Sequence, residues 1–352
     1  MSGAVTRSII ADDQMVSSRD AAGAEAAVVR LYELFFCRKP RADELAYFAD
    51  VVQRGEPFDA IIDRFATSPE FTPRQAPLFV PPGHFYSPIV DPAQVAERIR
   101  TVRDTAPMGL PDIDLDPARL DGVWNDLLPY LRTTPFRETA HAGARYHYRN
   151  SAFGYGDAAI LRAMIFAAEP RRIIEVGSGY SSACMLDTVL DEAAGRPQIT
   201  CIEPYPELLK SLMRPGDERH LAILPQPIQQ VPLETFDVLE DSDILFIDST
   251  HVSKTGSDVN HELFEILPRL RSGVIVHFHD IFYPFEYPHA WAIEENRSWN
   301  EIYALRAFLS YNQRFEILFF SDYFLLKRRA LIEETFPNFL INTGGSLWLR
   351  VR

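Results

Sequence analysis

Apolar residues recur at two spacings along this 352-residue chain, and the change between them falls near residue 157. Before it, the spacing is three and four, the period of a helix with one buried face. Val28, Leu31, Tyr32 and Phe35 share such a face in a stretch starting near Ala24. Leu45, Phe48 and Val52 form a second stripe, closed by Gly55. Phe58, Ile61, Ile62 and Phe65 form a third, stopping near Ser68 because Pro69 disfavours helix in the residue before it. The pattern predicts a small all-α bundle over 23–72, after a mixed polar arm over 1–22. Pro73, Pro77, Pro81, Pro82, Pro88 and Pro92 mark a linker over 73–92. Asp91-Pro92 reads as a helix cap and a first helical residue, followed by Val95, Ile99 and Val102 on one face. Another helix is expected over 117–131, with Leu120, Val123, Trp124, Leu127, Leu128 and Leu131 apolar.

From 157 onward, short apolar runs alternate with helical stretches. Strands are expected at 172–176, 199–202, 222–224, 244–247 and 274–278, with late strands at 315–320 and 346–351. Helices are expected at 158–168, 182–192, 208–213, 258–269 and 299–309. Such alternation implies an α/β, Rossmann-like, doubly wound and mostly parallel sheet, here over 93–352. No full crossover helix is evident between the last two strands, which allows an antiparallel edge strand.

Composition narrows the function. Asp plus Glu number 49 against 35 Lys plus Arg, a net charge of −14, so a generic nucleic-acid-binding face is not expected. Hydrophobic residues at 47% and charged residues at 24% are ordinary for a globular chain, which excludes wholesale disorder. Cys37, Cys184 and Cys201 have no CxxC spacing; buried thiols in a reducing compartment are expected, not disulfides or structural zinc. The first residues lack a basic start followed by a long apolar run, and no stretch approaches the roughly 20 apolar residues of a membrane span. A soluble cytoplasmic protein is the expectation.

Chemistry gathers where strands end. Glu175-Val176-Gly177-Ser178-Gly179-Tyr180-Ser181-Ser182 joins a strand to a helix, and its glycines let backbone approach a ligand at the carboxyl end of the sheet. A dinucleotide fingerprint would place a third glycine where Ser182 stands, so NAD fits poorly. Glu203, just before Pro204 at the end of the next strand, offers two carboxylate oxygens to the hydroxyls of a ribose. Asp248 and His251 follow the strand at 244–247, and His279-Asp280 follow that at 274–278. His277 is expected to turn to the face opposite His279. Residues 283–301 form a long aromatic loop at an active-site lid position, where Trp291, Trp299, Tyr283 and Tyr287 would stack on a sugar or aromatic acceptor. Residues 146–157 form another candidate wall.

Two resemblances follow from these residues. Residues 24–72, ending in Ser68-Pro69-Glu70-Phe71, resemble a bacterial helical domain of unknown function often attached to glycan-related enzymes; Cys37 stands where that family has glycine. Residues 84–352 resemble bacterial class I S-adenosylmethionine-dependent methyltransferases. The match rests on the E-x-G-x-G turn at Glu175, on Asp243–His251 with Ser249 for the usual glycine, on Asp258, and on Ser272-Gly273 leading to His279-Asp280. This resemblance implies S-adenosylmethionine held by Glu175, Gly177, Ser178, Gly179, Tyr180, Ser181, Ser182, Glu203, Pro204 and Asp248. Catechol-type relatives bind magnesium at the two later strand ends, which makes Asp248, His279 and Asp280 candidate metal ligands, though the second pair there is Asp-Asn. The implied reaction is O-methylation of a small-molecule or saccharide hydroxyl, with His251 as first base, His279 as second and Asp280 beside them. Two rivals stay open: a nucleotide-sugar or NAD-dependent enzyme on the same sheet, and a non-catalytic interaction protein.

Overall fold

The computed structural model describes residues 21–36, 38–68, 70, 79–190 and 197–352. The expectations for residues 1–20, Cys37, Pro69, Phe71, Pro73, Pro77 and the end of the 182–192 helix lie outside those residues. Two compact units divide at Ser87 and Pro88.

In the first unit, α1 (Ala21–Phe36), α2 (Ala42–Gln53) and α3 (Phe58–Ala66) follow the three stripes. Helix α1 opens earlier than its first stripe residue, because alanines at 21, 22 and 24 favour helix without needing a buried face. Its core gathers Val28, Leu31, Tyr32, Phe36, Val51, Ile61 and Phe65. Arg38 donates to both Glu44 and Glu70, and this contact holds the Glu44 carboxyl down at about 2.

The second unit begins with α4 (Pro92–Val102) and α5 (Pro117–Leu131). Asp91 and Asp116 cap them by accepting the Ala93 and Ala118 N–H groups, each just ahead of a proline at the first helical position. Then follow α6 (Tyr155–Ala168), β1 (Arg172–Val176), α7 (Tyr180–Val189), β2 (Gln198–Ile202), α8 (Glu207–Leu212), β3 (Leu221–Leu224) and β4 (Ile244–Ile247). After these come α9 (Asp258–His261), β5 (Ile275–Phe278), α10 (Glu301–Leu309), β6 (Phe315–Phe320), α11 (Ser321–Thr335) and β7 (Leu347–Val351). The sheet order is β3-β2-β1-β4-β5-β7-β6. Strands β1 to β5 pair in parallel, whereas β7 runs antiparallel to both β5 and the edge strand β6. Arg119 of α5 donates its Nε–H to the Ile317 carbonyl on β6 at 2.9 Å. β4 and β5 are buried along their whole length, so they read as apolar runs without alternation.

Two helical expectations are corrected. A 15-residue helix, α11, lies between β6 and β7 where none was expected. Its backbone leaves helical geometry at Arg328, whose guanidinium pairs with Asp121, so no single apolar stripe runs its length. The stretch 258–269 is not one α-helix. After α9 it widens into a π turn at Glu262–Ile266 and tightens into a 3-10 turn at Leu267–Arg269. Pro268 has no N–H to donate back along a regular helix. No helix among the described residues is long and apolar enough to cross a membrane.

Strand order reverses between β1 and β4: the chain leaves β1 toward β2 and β3, then returns to continue from β4. Open α/β sheets bind ligands at the carboxyl ends of strands flanking such a switch point. The Gly177 turn and Asp248 both emerge there.

Candidate active site

Glu175 is fully buried beneath the turn that follows β1. Its carboxylate accepts hydrogen bonds from Ser181 Oγ (2.6 Å), Ser182 Oγ (2.5 Å) and Cys201 Sγ (3.0 Å). Burial pushes its pKa up to about 7. The three expected residues Glu175, Ser181 and Ser182 thus bind one another: their side chains shape the turn from inside. Ser182 Oγ also accepts the Gly179 N–H at 3.1 Å.

Gly177 has φ +81°, and a Cβ there would lie 1.9 Å from the Asp248 carbonyl oxygen. Its N–H donates to Ile202 O at 3.1 Å, while the Asp248 N–H donates to Val176 O at 2.9 Å. Only glycine permits this approach, which sets the turn directly against Asp248. Ser178 donates its N–H to Glu203 Oε2 (3.1 Å), and Glu203 Oε1 accepts the Tyr205 N–H (2.8 Å). Glu203 is half-buried and Pro204 beside it is exposed. Ser178 Oγ is buried with no hydrogen-bond partner. It lies beside the N-terminus of α7, where the first N–H groups have no partner within the helix. An orphaned hydroxyl, free helical N–H groups and the remaining lone pairs of Glu203 suit a polar ligand such as a nucleoside bearing an amino acid.

His251 and Asp280 both stand in the left-handed backbone region at φ +59°. Few non-glycine residues do so, and those that do concentrate at functional sites. The His251 carbonyl accepts the N–H groups of Asn300 (3.1 Å) and Glu301 (3.0 Å). Its ring Nδ1 lies 2.8 Å from Glu301 Oε2, and its Nε2 faces Asp248 Oδ1 at 3.4 Å and Asp280 Oδ2 at 3.6 Å. His279 Nε2 lies 3.4 Å from Asp280 Oδ1. Burial favours the neutral imidazole of His251, but Asp248 and Glu301 outweigh it and raise its pKa well above 6.5. His279 is raised the same way, against burial, by Asp280, Asp248 and Asp157. Asp248 is held below its ordinary value because the two imidazoles outweigh its burial.

The expected residues at the ends of β4 and β5 therefore converge, but not as a metal centre. Among the described residues, no group of three or more His, Cys, Asp or Glu side chains is placed to hold a metal ion. Asp248 and Asp280 turn to His251, and Asp280 to His279 as well. As placed, Asp248, His279 and Asp280 pair with one another and with His251 and are not gathered as a ready-made magnesium site.

His277 also departs from expectation. Residues two apart on a strand share a face, and its ring lies 5.8 Å from that of His279, packed on Phe246 at 4.0 Å and Trp348 at 4.5 Å. Burial lowers its pKa, so it is a neutral core residue. Tyr283 is buried and donates to Pro107 O at 2.5 Å, which removes it from any ligand-facing wall. In the 146–157 stretch, Tyr146 is likewise buried and donates to Phe153 O. Trp299 stays in the site, its ring 4.4 Å from that of His251.

Three buried carboxylates were not singled out in the sequence, although Asp157 and Glu301 end the two candidate wall stretches. Glu301 opens α10, and Glu262 (fully buried) accepts from Ser249 Oγ at 3.3 Å. Asp157 on α6 accepts from Ser346 Oγ at 2.6 Å and is pushed by burial to about 6. None follows a strand, the one position that marked candidates in the sequence. The Glu262 signal was an acid at the fourth residue after Asp258, on a stretch read as helix.

Comparison with known proteins adds family information. The family described as "Methyltransferase domain" matches residues 174–281. An uncharacterized protein of Archaeoglobus fulgidus is 31% identical over 182 residues, covering 49% of this chain and 79% of its own length. Among solved structures, an SAH-bound methyltransferase of Podospora anserina is 16% identical with a TM-score of 0.36, over 74% of this chain and 96% of its own. An O-methyltransferase of Bacillus cereus in complex with SAH is 12% identical with a TM-score of 0.35, over 74% of this chain and 100% of its own.

Proposed function

We propose that the chain, whose residues 174–281 match the methyltransferase-domain family, is a class I S-adenosylmethionine-dependent methyltransferase that methylates a hydroxyl of a small-molecule acceptor, with His251 taking the hydroxyl proton. The observation that carries this reading is the contact of Gly177 with Asp248, which sets the ligand turn beside the His251 cluster.

Bound S-adenosylmethionine supplies an electrophilic methyl group on a sulfonium. Ser178 Oγ and the N–H groups at the start of α7 would hold its amino-acid end, and Glu203 its ribose. A neutral hydroxyl is a weak nucleophile, so a base must draw off its proton. Glu301 keeps a proton on His251 Nδ1 and leaves Nε2 to work toward Asp248 and Asp280. The two aspartates stabilise the imidazolium that forms there. His279, with Nδ1 buried and unpartnered, is the second candidate base. The Asp-rich surroundings also suit a cationic sulfonium.

His251→Asn tests the assignment. Turnover with a responsive phenolic or sugar acceptor should fall by about a hundredfold or more, with S-adenosylhomocysteine affinity by calorimetry unchanged. Retained turnover would remove His251 as the base. Failure of the folded native protein to bind S-adenosylhomocysteine would remove the cofactor assignment itself.

A further inference from the structure

A cavity adjoins this cluster and shares a wall with it. It encloses about 260 Å³ between α4 and the 286–303 stretch. Tyr287, Trp291, Trp299 and Tyr303 line one side, and Val95 and Ile99 face them from α4. Trp299 is the shared wall: it packs on Trp291 at 5.6 Å and on His251 at 4.4 Å. Arg297 lies over Trp291 and Trp299 at 4.0 and 4.6 Å.

We propose that this cavity is the acceptor subsite and takes a single aromatic ring, so that the acceptor is a hydroxyaryl compound; this rests on the methyltransferase reading. Three observations favour an aryl ring over the saccharide that the sequence left open. The first is size. A cavity of roughly 150 Å³ takes up benzene, so 260 Å³ holds one substituted ring but no oligosaccharide or peptide. The second is the disposition of apolar groups. Aromatic and aliphatic side chains stand on opposite sides, which suits a ring with two apolar faces.

The third is the state of the polar side chains. A sugar needs several free hydrogen-bonding groups, because its hydroxyls lose water on entry. Here most of the polar lining is already engaged, with Glu286 Oε2 and the Arg297 Nη groups left over. Glu286 accepts from Tyr303 Oη and the Tyr287 N–H. Arg297 donates to Glu295 (2.6 Å), Ser298 to Asn296 (3.2 Å), and Asn300 exchanges bonds with Ser253. Of the charged lining residues, Arg98 stands exposed at the rim.

Calorimetric titration of the full chain tests the assignment, with phenol, catechol and methyl glucopyranoside as probes and S-adenosylhomocysteine present. The aryl probes should bind saturably and the pyranoside should not. Ala292→Phe, which fills the cavity, should abolish aryl binding. Trp291→Ala should weaken it by about tenfold, the value of one aromatic contact. Both variants should keep the native affinity for S-adenosylhomocysteine, which also shows that they fold. Absent aryl binding, aryl binding indifferent to Ala292→Phe, or preference for the pyranoside would each overturn the proposal. Loss of S-adenosylhomocysteine binding by the native chain would strike the underlying reading instead, and is read in the same titration.

Discussion

His251 is surrounded by more carboxylate than an imidazole normally meets. Glu301 faces it from α10, Asp248 from the end of β4 and Asp280 from the end of β5, with Glu262 and His279 close by. Its raised pKa leaves it protonated near neutrality, and a base must first be neutral. The acid limb of kcat/KM should therefore lie above pH 6.5, rising as His251 loses its proton. Glu301→Gln keeps an acceptor for Nδ1 but removes a charge, so a pH–rate profile of that variant should show the limb displaced to lower pH. An unmoved limb would mean that another group titrates. The ion pairs of His251 add stability that is present below pH 6.5 and lost as pH rises through the higher native value. On the alkaline side, activity and stability should part company. Asp248, His251, His279 and Asp280 were legible in the sequence because each follows a strand. Glu301 was not, because 50 residues separate it from His251 and nothing local marks the contact.

Elements were legible in proportion to how completely one face, or both, is buried. The core strands β1, β2, β4 and β5 read clearly as apolar runs, and the glycine turn read as a ligand loop. Helix α11 was hidden because its axis breaks at Arg328, and the π turn at Glu262 because periodicity alone does not count the residues in a turn. The glycine turn also carries the sharpest structural demand. Ala at position 177 would have to hold a left-handed backbone with its Cβ against the Asp248 carbonyl. Gly177→Ala should destabilise the larger unit by about 2 kcal/mol or more, a fall in Tm of roughly 4–8 °C. It should also abolish S-adenosylhomocysteine binding in calorimetry. A native Tm with native affinity would show that the turn and β4 can separate without consequence.

All four tryptophans, Trp124, Trp291, Trp299 and Trp348, belong to the larger unit, so tryptophan emission during heating reports that unit alone. Every candidate site residue lies there too. S-adenosylhomocysteine at a hundred times its Kd should stabilise that unit by about 2.7 kcal/mol and raise its tryptophan-detected Tm by roughly 5–10 °C. An unchanged transition at saturating ligand would contradict the cofactor assignment. At this scale the sequence read best, because the β-α alternation fixes a doubly wound sheet and its switch point together. It did not reveal which way β7 inserts, since that depends on pairing across the sheet. The sheet ends at β6, and an unpaired edge is where a strand from another molecule can add on and begin an aggregate. Arg119 already occupies the Ile317 carbonyl on that edge. An intruding strand would have to evict a guanidinium before it could seed a fibre, so one side chain outside the active site guards the protein against growth at that edge in a crowded cell.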